Sequence, residues 1–352
     1  MREPAIEVFR NGAVIPALPL VLREDRTLDE QRQRRLIRYY LQSGVGGIAV
    51  AVHTTQFEIR LPKHNLFERL IYLARDEIRQ FEQAQKKTIL CICGVCGPQE
   101  QACAEARMAK AAGYDAVLVS PGGLNDLDEQ EHLSRMESIA DVMPAIGFYL
   151  QKSVGGRRFS YDYWRQLCRI RGIVAIKAAP FDRYGTLDLV RAAQESGRTD
   201  LTLYTGNDDN IVVDLLTGFQ LSKEIPQIRF AGGLLGHWAV WTHRAVELYQ
   251  QICEARNSSQ IDARWLTLAA QVTDCNGAFF DAAHGFSGCI TGIHEVLRRQ
   301  GLMQGIWTLD PQETLSPGQA EQIERVWKQY PHLNDDTFVR RFLSMEEVYC
   351  EA

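Results

Sequence analysis

The sequence predicts an α/β protein built as a (β/α)8 barrel, the TIM-barrel fold, with a helical extension at its C-terminus. Three observations support this prediction. Short apolar runs alternate with segments of helical periodicity up to residue 255, which is the pattern of βαβ units. Eight such runs suit a closed barrel, and the glycine-rich fingerprint of an open dinucleotide-binding sheet is missing. The remaining residues show helical periodicity alone. We therefore expect residues 1–255 to form the barrel and residues 256–352 to form a helical extension packed on it.

The predicted strands are short runs rich in branched and aromatic residues. In chain order they are AVIPALPLV from Ala13, GGIAVAV from Gly46, TILCIC from Thr88, DAVLVS from Asp115, AIGFY from Ala145, IVAIK from Ile173, LTLYT from Leu201 and IRFAG from Ile228.

The predicted helices carry start and stop signals. Thr27, with Glu30 three residues later, has the pattern of a capping box ahead of the first barrel helix. Pro98 suits the first turn of a later helix and Gly113 suits its end. Residues 238–255 are expected to form the eighth helix. The extension then contributes the helical segments DARWLTLAAQV, GCITGIHEVLRRQ, SPGQAEQIERVWKQY and DDTFVRRFLSMEEV.

The composition is that of a soluble globular protein. Of 352 residues, 45% are hydrophobic and 24% are charged, and the formal net charge is −5. No long Lys/Arg run is present, which argues against binding to nucleic acid or to an anionic membrane surface. We find neither a secretory signal pattern nor an apolar run long enough for a membrane span, and so we expect a cytoplasmic location.

The nine cysteines are scattered and several lie in strand-like runs, which predicts buried reduced thiols without disulfides. The spacing of Cys91, Cys93 and Cys96 superficially resembles a metal motif. However, no second pair follows at zinc-site spacing, and we expect no metal.

Lys177 is an unusual residue at the end of the predicted sixth strand, residues 173–177. Alternation places it on one face with Ile173 and Ala175, and Val174 and Ile176 on the other. Inside an apolar barrel, the pKa of an amine falls, which favours the neutral form that attacks a ketone. The alternative is a strand-end lysine that reaches solvent or a carboxylate.

Tyr149 closes the preceding strand, where alternation leaves Ile146 and Phe148 on the outer face and points Tyr149 inward. A phenol beside an imine nitrogen can move the protons that imine formation requires. The alternative is a packed aromatic ring with a satisfied hydroxyl.

Thr54 and Thr55 follow the second strand directly. Their two hydroxyls and two backbone amides suit the binding of a small carboxylate without a cationic side chain. The alternative is a plain turn with a helix cap.

Lys177, Tyr149 and the Thr54-Thr55 pair, in this order on these strands, resemble the dihydrodipicolinate synthase and N-acetylneuraminate lyase superfamily, whose members join or cleave 2-oxo acids through a lysine imine. The resemblance covers residues 13 to 300. It includes the segments IPALP from Ile15, GVGGI from Gly44, AGYDAV from Ala112 and GNDD from Gly206.

The resemblance implies roles for four of these residues. Lys177 would form the imine and Tyr149 would transfer protons. Thr54 and Thr55 would bind the carboxylate of the 2-oxo acid, and Thr54 would also pass a proton to Tyr149.

The resemblance further implies that Gly206 and Asn207 line the site near strand seven. From its position next to the threonine pair, His53 is expected beside the bound carboxylate. It implies a small-molecule 2-oxo acid as substrate, a homo-oligomer (tetramer or dimer) and no cofactor.

The sequence departs from the superfamily pattern at several points. His53 stands where a glycine usually precedes the threonine pair, and residues 56–57 separate that pair from Glu58. Val154 replaces an arginine that grips a second carboxylate, and Pro-Gly-Gly at residues 121–123 replaces Pro-Tyr-Tyr. We therefore do not expect the condensation of the diaminopimelate pathway.

Three histidines are candidates to replace the missing groups. His53 lies beside the threonine pair, and His237 follows the eighth strand. Either can act as an acid or base near neutral pH. For His284, between small residues in the extension, we expect a structural role.

These observations predict a Schiff-base aldolase or lyase that forms or cleaves a C–C bond of a pyruvate-type 2-oxo acid. Two alternatives stay open at this point. One is a sugar-acid dehydratase that uses the same imine, and the other is a non-catalytic relative that binds a 2-oxo acid.

Overall fold

Eight parallel strands form the barrel in the computed structural model, which describes residues 1–221 and 223–351, with side chains described through Glu346. The strands are β1 Val14–Pro16, β2 Gly47–Val50, β3 Leu90–Val95, β4 Ala116–Val119, β5 Ala145–Leu150, β6 Ile173–Ala179, β7 Thr202–Thr205 and β8 Phe230–Leu235. From β2 to β8 each strand pairs with the next one in sequence, β8 pairs with β1, and an isolated Ala17–Ala49 bridge links the end of β1 to β2. The predicted (β/α)8 barrel is confirmed.

Helices separate the strands and continue beyond them. They are α1 Glu3–Asn11, α2 Glu30–Ser43, α3 Phe67–Gln85, α4 Gln99–Ala112, α5 Glu129–Val142, α6 Tyr161–Leu167, α7 Arg183–Glu195, α8 Ile211–Leu216, α9 Thr242–Ala255, α10 Arg264–Phe279, α11 Cys289–Arg299, α12 Gln319–Gln329 and α13 Asp336–Glu351. The first of these precedes the barrel, and the last four follow it. The C-terminal helices that the sequence predicts are therefore present.

Two of the predicted helix starts are displaced in the structure. The prediction that Thr27 caps α2 was wrong, because the side chain of Asp29 accepts the N–H of Arg32 and thus caps the helix. Thr27 instead donates its hydroxyl to Asp25 at 2.6 Å. The eighth barrel helix begins at Thr242 rather than at residue 238, after a short 3-10 turn.

The core has two layers. Small and branched side chains fill the barrel interior, among them Ile15, Ile92 and Ala175. A larger cluster fills the space between the strands and the surrounding helices. A buried strand side chain therefore faces either the barrel interior or the surrounding helices.

Helix α1 closes the N-terminal end of the barrel. Phe9 is 3% exposed and stacks on Tyr204 inside the barrel at a centroid distance of 4.8 Å. The Tyr204 hydroxyl donates to the carbonyl of Phe9 at 2.7 Å. Arg2 anchors the start of the helix through an ion pair with Asp115. Small molecules therefore reach the interior from the opposite end, where the strands terminate.

The extension contacts the barrel at polar and apolar groups. The hydroxyl of Tyr39 on α2 donates to Asp335 at 2.6 Å, and Arg38 forms an ion pair with Glu346. The backbone N–H of Leu309 donates to the Gln56 side chain at 2.6 Å. Since these contacts join the two parts, we propose that barrel and extension fold as one unit. The boundary between them near residue 255 stays a prediction.

Eight cysteines have side chains that the structure describes, and each is a free thiol. Among the helices of that same part, none has the length and apolar character that a bilayer span requires.

Candidate active site

A cavity of about 70 Å³ lies at the C-terminal ends of the strands. This is the end of the barrel at which TIM-barrel enzymes carry their active sites. The cavity wall is mostly apolar and includes Phe280 and Cys289 from the extension. Since one water needs about 10–15 Å³ of such volume, the cavity suits a molecule of a few heavy atoms. The polar or ionisable side chains on its wall are Lys177, Asp208, His53, Thr54, Gln151 and Cys289.

Lys177 projects into this cavity from β6. The side chain is 8% exposed, and its Nζ lies 4.4 Å from the centroid of the Phe148 ring. Burial lowers the pKa of the Lys177 amine, and the negative charge of Asp208 opposes part of that effect. Burial thus increases the share of neutral amine, which is the nucleophilic form.

Gly206 makes room for the lysine. A Cβ atom at this position would lie 2.4 Å from Cε of Lys177 and 2.8 Å from Cβ of Ala179. The backbone at the end of β7 therefore lies directly against the Lys177 side chain. This agrees with the predicted position of Gly206 in the site near strand seven.

Asp208 is an acidic residue of the cavity wall that the sequence did not single out. It is 5% exposed, and one of its oxygens accepts the backbone N–H of His237 at 2.8 Å. Burial raises the pKa of the carboxyl group, and the nearby charge of Lys177 works against this. Residues 206–209 follow β7 as a loop, so no periodicity shows which of the two adjacent aspartates faces inward.

Asn207 does not line the cavity, and the prediction that it does was wrong. Its amide donates to Asp214 at 2.9 Å and to the hydroxyl of Thr186 at 3.2 Å. Its side-chain oxygen accepts the N–H of Phe181 at 3.1 Å. Because these bonds use both ends of the amide, Asn207 holds neighbouring segments together and has no free group for a substrate.

Tyr149 points away from Lys177, so the predicted orientation was wrong. In the β5–β6 ladder Phe148 lies opposite Lys177. The Tyr149 ring lies on the outer face instead, 4.7 Å from the Trp164 ring in the cluster between strands and helices. Alternation separates the two faces of a strand but does not show which one faces inward.

A register shift between β5 and β6 helps to place Tyr149 and Lys177 on opposite faces of the sheet. The ladder passes from the Ala145–Ile173 pair to the Ile146–Ala175 pair, which leaves Val174 without a partner in it. Ile173 consequently packs in the outer cluster, contrary to the predicted inward position, while Ala175 lies in the interior. A bulge of this kind changes the face on which the following residues lie.

Thr54 and Thr55 lie in a short 3-10 turn after β2. Both hydroxyls donate to the carbonyl of Leu18, Thr55 at 2.7 Å and Thr54 at 3.3 Å. Thr54 lines the cavity, whereas Thr55 is fully buried beneath it. The weakly held Thr54 hydroxyl is the better placed of the two to meet a ligand.

His53 lies on the cavity wall beside Thr54. Burial and the positive charge of Lys177 lower its pKa to about 4. The imidazole is therefore neutral at physiological pH and acts there as a hydrogen-bonding group rather than as a cation.

The two other histidines lie outside the cavity. The ring of His237 stacks on Phe279 at 5.7 Å, and the residue touches the cavity only through the N–H that Asp208 accepts. His284 lies in the extension and contacts Asp281 at 2.6 Å. Within the described part of the chain, no group of three or more potential metal ligands comes together.

An open cleft of about 540 Å³ adjoins the cavity on one side. Leu150, Gln151 and Phe181 line both spaces. Arg157 and Arg158 line the cleft but not the cavity, and Asp182 and Asp209 also line the cleft. These guanidinium groups offer positive charge to a ligand that extends from the cavity.

A second cleft of about 390 Å³ adjoins the other side, where His53 and Val154 are shared with the cavity. Its wall carries Glu58, Asp310 and Glu313. Burial and the neighbouring carboxylates raise the pKa of Glu313 to about 7. The two clefts thus differ in the charge that they present.

Comparisons with known proteins give a family from the sequence and a shared fold from the structure. A sequence model of the dihydrodipicolinate synthetase family matches residues 10–330. N-acetylneuraminate lyase 2 of Escherichia coli O6:H1 is 22% identical over 293 residues, which is 82% of this chain and 85% of that protein. A 4-hydroxy-tetrahydrodipicolinate synthase of Methanothermobacter thermautotrophicus is 29% identical over 205 residues, 56% of this chain and 67% of the relative.

The solved structures show the shared fold. Dihydrodipicolinate synthase from Oceanobacillus iheyensis superposes with a TM-score of 0.75 at 16% identity, over 94% of this chain and 99% of that one. YagE from E. coli K12, solved in complex with pyruvate, superposes with a TM-score of 0.73 at 16% identity, over 90% and 98%. Because the family model spans most of the sequence, the chain belongs to the dihydrodipicolinate synthetase family.

Proposed function

We propose that this protein is a Schiff-base aldolase or lyase that forms or cleaves a C–C bond of a pyruvate-type 2-oxo acid. The observation that carries the proposal is the position of Lys177, an amine 8% exposed in a small apolar cavity at the strand ends. Family membership supports a lyase or aldolase activity.

In the proposed reaction the Nζ atom of Lys177 attacks the ketone carbon of the 2-oxo acid. Loss of water gives a protonated imine, which withdraws electrons from the adjacent carbon and so permits C–C cleavage or formation there. The Thr54 hydroxyl, held by one long hydrogen bond to Leu18, would turn to the carboxylate of the substrate.

Thr55 would not touch the substrate. Its hydrogen bond to Leu18 would fix the turn that presents Thr54 and its backbone amide. The clefts on either side would hold the part of the substrate that lies beyond the reacting bond. Like the relatives in its family, the protein is proposed to act on a small molecule, and we propose a homo-oligomer, tetramer or dimer.

Borohydride trapping tests the imine directly. In the presence of pyruvate, borohydride should leave a covalent adduct whose mass maps to Lys177, and Lys177→Arg should abolish it. Lys87, an exposed lysine on a loop outside the cavity, provides a matched control, because Lys87→Arg should leave the adduct unchanged. If none of a panel of 2-oxo acids gives an adduct, the imine mechanism is wrong.

One observation favours a second candidate, a relative that binds a 2-oxo acid without converting it. Phe148 occupies the inward position opposite Lys177 and carries no hydroxyl for proton transfer. Binding of pyruvate that Lys177→Arg leaves unaffected, without turnover of any 2-oxo acid tested, would support this candidate. Product analysis on 2-keto-3-deoxy acids would distinguish C–C cleavage from the dehydration that the same imine permits.

A further inference from the structure

The cavity lacks the group that would ordinarily move protons beside the lysine. Imine formation needs a proton donor for the ketone oxygen and an acceptor for the proton on the attacking nitrogen. Phe148 lies over Lys177 and cannot do either, while the hydroxyl-bearing ring of Tyr149 packs on the other face of β5. Another residue of the cavity wall must therefore supply this function.

Asp208 is the best placed of the remaining polar groups. It is 5% exposed and lies on the wall of the same cavity as Lys177. The N–H of His237 fixes one carboxylate oxygen at 2.8 Å. Among the described residues no side chain donates a hydrogen bond to this carboxylate, so its proton-exchanging capacity is not already used by a partner.

We propose that Asp208 is the proton-transfer residue of this site, acting on the reacting atoms at Lys177 in place of the missing phenol. This role rests on the proposed imine function.

The proposed steps balance as follows. Neutral Lys177 attacks the ketone carbon, an N–C bond forms, and the carbonyl oxygen takes the proton of the Asp208 carboxylic acid. The resulting carboxylate then removes one proton from the nitrogen. In the last step the acid returns this proton to the hydroxyl group, the C–O bond breaks and water leaves. The products are a protonated imine on Lys177 and a carboxylate on Asp208 beside it.

The surroundings of Asp208 fit this exchange. Burial raises the pKa of Asp208 and lowers that of Lys177, which brings their titrations closer together. His53 faces Lys177 from the turn after β2, but its pKa of about 4 keeps it neutral.

The other groups near Asp208 do not compete for the proton. Cys289 on α11 faces Asp208, and burial raises its thiol pKa well above the usual value. Asp209, the next residue in the loop, adds negative charge that raises the pKa of Asp208 further. His237 presents its backbone N–H to the carboxylate.

Asp208→Asn tests the proposal, because an asparagine oxygen can still accept the N–H of His237 while the amide cannot exchange the proton. We expect the rate at which pyruvate forms the borohydride-trapped adduct on Lys177 to fall by about 10²–10⁴-fold, the usual contribution of general acid–base catalysis. Asp208→Glu should restore part of the rate. In the Asp208→Asn background, Phe148→Tyr should also raise the rate, since it places a phenol over the amine.

A pH profile separates proton transfer from a purely structural role. The wild-type trapping rate should pass through a maximum with pH, because the reacting pair needs a neutral Lys177, which low pH prevents, and a protonated Asp208, which high pH prevents. In Asp208→Asn the falling limb should be absent. An unchanged rate in Asp208→Asn, or a slow variant that neither Asp208→Glu nor Phe148→Tyr improves, would overturn the role of Asp208. A wild-type protein that forms no adduct with any 2-oxo acid overturns the imine function itself, and this role with it.

Discussion

The reach of Lys177 into its cavity depends on a neighbouring residue without a side chain. Gly206 lies where β7 ends, and any Cβ atom there would overlap the lysine stem. The conformation of the backbone does not require glycine at this position, since its φ angle is not positive. Glycine is required because the side chains of Lys177 and Ala179 on β6 pack directly against the backbone at the end of β7.

Gly206→Ala should therefore impair the reaction more than the fold. The methyl group would displace Cε of Lys177, which is the far end of a flexible side chain, and would also press on Ala179. We expect the rate of pyruvate trapping on Lys177 to fall by about tenfold or more, since a misplacement of about 1 Å can reduce a rate by about 10²-fold.

Gly277→Ala is the matched control, because Gly277 lies inside α10 and a Cβ atom there meets nothing within 4 Å. This variant should be more stable by about 0.5–1 kcal/mol and should trap pyruvate at the wild-type rate. Equal trapping rates in wild type and Gly206→Ala would show that the contact with the lysine is unimportant.

The sequence located Lys177 and the cavity residues His53, Thr54 and Gly206, but not Asp208. Lys177 stands out because it is charged at the end of an apolar strand, a property of its own segment. The inward placement of Asp208 instead of Asn207 depends on hydrogen bonds to Thr186, Asp214 and His237. Such contacts join segments far apart in the chain and leave no periodic signal.

At the scale of single elements, apolar runs predicted all eight strands, while their ends and faces were harder to predict. The first predicted run extends from Ala13 through residue 21, yet β1 stops at Pro16, which has no N–H for a ladder. The register shift beside Val174 is invisible in a pattern of apolar residues. It depends on how β5 and β6 pair, which is a contact between two segments rather than a property of either one.

Helix α1 was not predicted from the sequence. We expect its packing against the barrel to stabilise the folded protein strongly. Phe9→Ala should reduce the free energy of unfolding by about 3–5 kcal/mol, because it leaves a cavity where the ring stacks on Tyr204. Denaturant unfolding would measure this loss.

Glu7→Ala provides the comparison, since Glu7 is exposed on the same helix. It should change stability by no more than about 0.5 kcal/mol. A Phe9→Ala variant as stable as Glu7→Ala would mean that α1 contributes little to the barrel.

For the whole molecule, barrel and extension share both the cavity and a buried polar contact. Phe280 and Cys289 complete the wall around Lys177, so the extension forms part of the site. On the side of the barrel, the hydroxyl of Tyr39 donates to Asp335 and accepts the N–H of Thr242 at 2.9 Å. Removing this oxygen would leave the buried N–H of Thr242 without a partner, while Asp335 would keep its hydrogen bonds from His243 and Gln300.

Tyr39→Phe should accordingly lower the free energy of unfolding by about 1–3 kcal/mol, the cost of leaving a buried polar group unsatisfied. Tyr72→Phe removes the same atom from a ring that is 41% exposed, and should be neutral within about 0.5 kcal/mol. Chemical denaturation of both variants gives the comparison. Equal stabilities would argue against an energetic link between barrel and extension at this point.

The closure of the barrel by α1 has a kinetic consequence under the proposed function. Imine formation releases one water molecule, and hydrolysis of the product imine takes one up again. With Phe9 and Tyr204 filling the far end, water and oxo acid share the route past the strand ends. A substrate long enough to occupy the neighbouring clefts would stand in that route and slow the return of water. The lifetime of the covalent intermediate would thus increase with the length of the molecule bound.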